Sequence, residues 1–128
     1  MGHLNLPRSF LPLAVSGLLL GACVQQTSLP SDCTTADVQR AVTLEHDTLS
    51  PDHIDLCKGQ QVTITVSVKQ DGELHFHGYD ELVPETEVKA GEQRDFTFST
   101  VHAGQFPIEL HHASGDEVQV AILTVYEP

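Results

Sequence analysis

The sequence predicts an all-β fold, an antiparallel Greek-key β-sandwich of about seven strands. Three observations carry that prediction. Apolar and polar side chains alternate with period two through most of the chain after residue 40, as in strands with one buried face. Glycine-, proline- and aspartate-bearing turns interrupt the alternation at short intervals. No segment holds a helical period for longer than one turn, which falls at Thr34–Val38.

Taken in order, Met1–Ala22 carries a single base, Arg8, followed by the apolar run Phe10–Leu20. That run is too short to span a bilayer and has the form of a secretory signal, so residues 1–22 read as a leader and the chain as exported. Residues 23–40 read as a flexible tether, polar and ending near Pro30-Ser31, and residues 41–128 as the folded domain. Ala41–His46 and His53–Cys57 read as the first two strands, separated by a Ser50-Pro51 turn. Val62–Val68 alternates β-branched apolar residues with hydroxyls and is the clearest strand of all. Gln70-Asp71-Gly72 turns into a strand carrying His75 and His77, and Thr86–Val88 reads as an irregular edge. Asp95–Ser99, Phe106–Leu110 and Val118–Val125 complete the series, the last two joined by a Ser114-Gly115-Asp116 turn.

In Glu73-Leu74-His75-Phe76-His77-Gly78, a strand sends Leu74 and Phe76 to one face and both imidazoles to the other. Their Cα atoms then lie roughly 6.6 Å apart, close enough to serve one ion. Phe106, Ile108 and Leu110 have the same period and lead straight into His111 and His112. These four histidines form the expected metal cluster, at the mouth where strands end, with Glu109, Asp80 or water completing it. Adjacent residues on a strand point to opposite faces, so only one of His111 and His112 is expected to join. His46, His53 and His102 read as surface residues, and so do the carboxylate pairs Glu85 with Glu87 and Asp116 with Glu117.

All 18 acidic residues follow Cys23 against five bases, a net charge of −13 for that part of the chain. Such a surface repels phosphate backbones, which excludes nucleic acid as a partner; it concentrates cations and suits a basic partner protein. Enzyme chemistry is not expected. Ser114, Asp116 and His112 crowd one turn rather than forming a triad, and no Gly-x-Ser-x-Gly elbow occurs. Cys33 and Cys57 are an even pair in an oxidising compartment and are expected to form a disulfide; the alternative is a Cys57 thiolate on the metal.

Leu20-Gly21-Ala22-Cys23 resembles the lipobox of bacterial lipoproteins. The resemblance implies cleavage before Cys23, lipidation of that residue and a membrane anchor on the cell envelope. Val24 rather than aspartate follows, which implies the periplasmic side of the outer membrane in a Gram-negative cell.

From about Val42 to Tyr126 the chain resembles a cupredoxin-like domain. The matching stretches are Leu56–Val62, His75-Phe76-His77-Gly78-Tyr79-Asp80, Ala90-Gly91-Glu92, Phe96-Thr97-Phe98 and Gly104-Gln105-Phe106. In blue-copper members the resemblance would place ligands at His75, at a cysteine and histidine near the last hairpin, and at a methionine. Here the cysteine position falls near Leu110 and no methionine follows Met1, so only His75, with His111 or His112, carries over. Without thiolate sulfur an electron-transfer site of that type cannot form. The expectation is an imidazole site that captures, buffers or delivers copper as Cu(II), with zinc as competitor; the alternative is a metal-free interaction module at the envelope surface.

Overall fold

The computed structural model describes Gly2 and residues 28–128. The leader, the lipobox with its lipidation at Cys23, and the tether as far as Thr27 lie outside those residues. Among the described residues there are nine strands and no helix: β1 (Asp37–Glu45), β2 (Thr48–Ser50), β3 (His53–Cys57), β4 (Gln61–Val68), β5 (Gly72–Phe76), β6 (Thr86–Val88), β7 (Gln93–Ser99), β8 (Gly104–His111) and β9 (Glu117–Tyr126). The expected seven become nine through two three-residue edge strands, β2 and β6.

The strands form a four-stranded sheet, β2-β1-β4-β7, and a five-stranded sheet, β3-β9-β8-β5-β6. Period two explains why they face each other. In β4, Val62, Ile64, Val66 and Val68 are buried while Gln61, Thr63, Thr65 and Ser67 point outward. Facing them, Leu74, Phe76, Ile108, Leu110, Leu123 and Val125 close the core from the second sheet. Burial of each such side chain contributes about 1.5–3 kcal/mol, so this layer dominates the stability of the fold.

Two ladders depart from the antiparallel expectation: β1 runs parallel to β4, and β3 parallel to β9. After β2 the chain crosses to the second sheet for β3 and crosses back for β4, so β4 returns beside β1 in the same direction. Alternation within a strand records its faces but not its neighbour's direction.

The amino-terminal boundary also differs. No helical turn forms at Thr34–Val38; residues Ser31–Thr34 turn and β1 is already running at Asp37. Cys33 and Cys57 are joined in a disulfide, with Cα atoms 5.3 Å apart, which leaves no thiolate for a metal among the described residues. Asp32 pairs with Arg40 at 2.9 Å, and Gln60 Nε2 donates to the carbonyls of Asp32 and Thr35 at 2.8 and 3.0 Å. The expected tether over 23–40 therefore stops short of 40, because residues from Asp32 onward are fastened to the sandwich.

Candidate metal centre

The site is built on the β5–β8 ladder. Leu74 opposite Leu110 and Phe76 opposite Ile108 face the core, so the intervening pair, His75 opposite Glu109, must face outward. One step along, Glu73 stands opposite His111. His77 continues the same outward row just past β5, its N–H donating to Pro107 O at 3.0 Å. The rings of His75 and His77 have centroids 4.0 Å apart, and those of His75 and His111 5.3 Å. Three of the four expected histidines are thus gathered. They lie on the outer face of the five-stranded sheet rather than in a mouth between strand ends, because alternation puts everything opposite the core on the open face.

His112 is not among them. Its Nε2 lies 3.1 Å from Asp47 Oδ1 in the β1–β2 turn, which ties the two sheets together. The alternation of His111 and His112 across the strand is the cause, and it selects His111 for the cluster.

A β-bulge brings in a further group. Ile108 pairs with Ala121 but Glu109 pairs with Gln119, so β9 carries one extra residue there. With a regular register, Val118 would stand opposite His111; the bulge substitutes Glu117. Glu85, from the loop after β5, closes the other side. Both carboxylates were expected on plain solvated surface, and a five-residue loop over His112–Asp116 was the one sequence signal that could have set Glu117 across from His111.

Carboxylate oxygens surround the imidazoles. His77 Nε2 is 2.8 Å from Glu109 Oε2, His111 Nε2 is 3.4 Å from the same oxygen and 3.9 Å from Glu117 Oε1, and His75 Nδ1 and His111 Nδ1 are 3.3 and 3.6 Å from Glu85 Oε1. His75 Nε2 contacts Asp80 Oδ1, while Gly78 N–H donates to Asp80 Oδ2 at 3.1 Å. A carboxylate that accepts a hydrogen bond from the Nε2–H of a neutral ring leaves the Nδ1 lone pair for an ion. That nitrogen and His77 Nε2 are both closed off from solvent without a hydrogen-bond partner, their carboxylate neighbours lying out of line. The His77 imidazole, and then that of His111, hold the Glu109 carboxyl below its ordinary range; His75 does the same for Asp80.

Three groups have ligand atoms close enough to share an ion: His75, His77 and Glu109; His75, Glu85 and His111; and Glu109, His111 and Glu117. All offer nitrogen and oxygen donors without sulfur, which fits a divalent ion of borderline character and does not fit a blue-copper centre.

Residues 13–120 match the family described as cupredoxin-like domain. The chain belongs to that family. The match begins inside the stretch read as a leader. Among solved structures, this cupredoxin-like domain is similar to the metal-binding domain of the Cu(I)-exporting P-type ATPase CopA of Streptococcus pneumoniae D39, determined with Cu(I), at a TM-score of 0.55 and 21% identity over 73% of this chain and 89% of that one. It is also similar to a copper nitrite reductase from Nitrosomonas europaea, at a TM-score of 0.56 and 15% identity over 71% of this chain and 42% of that one. A multi-copper oxidase from Pseudomonas thermotolerans aligns at a TM-score of 0.53 and 19% identity, over 71% of this chain and 30% of that one. The cupredoxin-like domain spans less than half of the reductase and oxidase chains, and at these identities the likeness establishes the fold alone. No curated protein sequence matches the chain.

Proposed function

We propose that this cupredoxin-like domain binds a divalent transition metal, copper as Cu(II) with zinc as competitor, through His75 and His77 with Glu109 and His111 beside them. Its role is capture, buffering or handover at the cell envelope, where lipidated Cys23 anchors it, and it performs no catalysis of its own. One observation carries the reading: two solvent-closed imidazole nitrogens without hydrogen-bond partners, on a face where three histidines and several carboxylates meet. The copper-binding domains and enzymes that share the fold support the choice of metal. The donor set lacks the soft sulfur that holds Cu(I), so binding of the oxidised ion is favoured over redox cycling.

Thermal melts of the full chain with Cu(II) or Zn(II), alongside His75→Ala/His77→Ala, test this. An ion present at about 100 times its dissociation constant adds roughly 2.7 kcal/mol, a rise on the order of 10 °C for a domain of this size. The parent should show that rise and the double variant should not. If neither ion raises the melting temperature of the parent, the surface is better read as a metal-free interaction module docking a basic partner. The carboxylates already beside every clustered imidazole favour that second reading.

A further inference from the structure

We propose that the outer face of the five-stranded sheet takes two metal ions, the second held by Glu109, His111 and Glu117 next to a first at His75, His77 and Glu109. The Glu109 carboxylate bridges them. This rests on the metal-binding reading above and extends it to the capacity of the site.

No group of potential ligand atoms among the described residues contains both His77 and His111. The three imidazoles therefore do not converge on one point; they flank Glu109, whose Oε2 stands 2.8 Å from His77 Nε2 on one side and 3.4 Å from His111 Nε2 on the other. An ionised carboxylate has two oxygens and about four lone-pair positions, enough to serve an ion on each side. Ions sharing such a bridge sit about 3.5–4 Å apart.

Charge supports the same count. Asp80, Glu85, Glu109 and Glu117 place four negative charges against the three neutral rings. One divalent ion leaves an excess of two, which a second ion cancels. The third candidate group, His75 with Glu85 and His111, draws its imidazoles from the other two and cannot be filled beside them, so the capacity is two and not three. The bulge in β9 is what makes the second position, since without it a valine would stand where Glu117 does.

The two positions differ in character. The first has two imidazoles and one carboxylate; the second has one imidazole and two carboxylates and is the harder of the pair. Copper should fill the first before the second.

The full chain is titrated with Cu(II) alone, with bound ions counted by native mass spectrometry and the electron paramagnetic resonance signal integrated at each step. The expected result is an isolated-ion signal at the first equivalent that broadens by spin coupling as the second binds. Glu117→Gln should lose the second equivalent and the coupling while the first binds as in the parent. Glu109→Gln should lose the second and weaken the first by about 10-fold or more. Melts of the apo variants establish that each folds. A single bound equivalent, or a second that shows no coupling or survives Glu117→Gln, overturns the two-ion site and leaves the one-ion reading standing. Binding of no ion at all overturns both.

Discussion

Gly78 shows how tightly the end of β5 is specified. It holds φ at +79°, and a Cβ there would collide with the Phe106 ring, so Gly78→Ala should cost about 1–3 kcal/mol in chemical denaturation. The sequence marks this glycine as the end of a strand, and that is where β5 gives way. It does not mark the next residue: Tyr79 is buried against Phe98 and Phe106, its hydroxyl donating to His102 O at 2.7 Å. An aromatic after a strand-ending glycine carries no period to show which way it turns. Burial raises the Tyr79 pKa, and a raised value means the neutral form is favoured by folding. Its contribution is complete below the unfolded value of about 10 and disappears as pH rises through the folded one. Stability measured from pH 9 upward should therefore fall, and a Tyr79→Phe variant should fall less steeply. The opposite sign holds for Glu109 and Asp80, whose lowered values stabilise the apo fold above the ordinary carboxylate range and lose that effect as acid titrates them.

At the scale of the element, the junction between β3 and β4 is a worked example of polar accounting. Gln60, a polar residue between two strands, is buried. Cys57 N–H donates to its side-chain oxygen at 2.8 Å, and its amide nitrogen supplies the carbonyls of Asp32 and Thr35. Gln60→Leu should cost about 1–3 kcal/mol for each group left unsatisfied, whereas the exposed neighbour Gln61→Leu should cost little. Replacing Cys33 by serine opens the 24-residue disulfide loop and should cost about 3 kcal/mol, read as a lower denaturation midpoint. Strand identities were legible because half-buried strands print their faces in the sequence; the same print gave His75, His77 and the separation of His111 from His112. What lay beyond it were features of pairing: the parallel ladders, the bulge at Glu109 and the carboxylates that pairing delivers. The positive φ at His46 and Asp47, which closes β1 onto β2, was hidden as well, since that two-residue turn carries no glycine to announce it.

For the whole molecule, charge sets the terms. With 18 acidic residues after Cys23 and few bases, the described surface draws cations toward itself, and raising ionic strength from about 0.01 to 0.15 M shortens the reach of that field from roughly 30 Å to 8 Å. Association of Cu(II) should slow over that range more than dissociation does, a difference stopped-flow measurements would record. Cys23→Ser should shift the protein from the membrane fraction to the soluble one if the envelope role holds. The clustered histidines share one further property: they stand on the outer face of β5 and β8, two strands paired on both sides, and are reached from that face. Ions could then be passed on by swapping one donor at a time through side-chain rotations, with amide protection of β5 and β8 the same in loaded and empty protein.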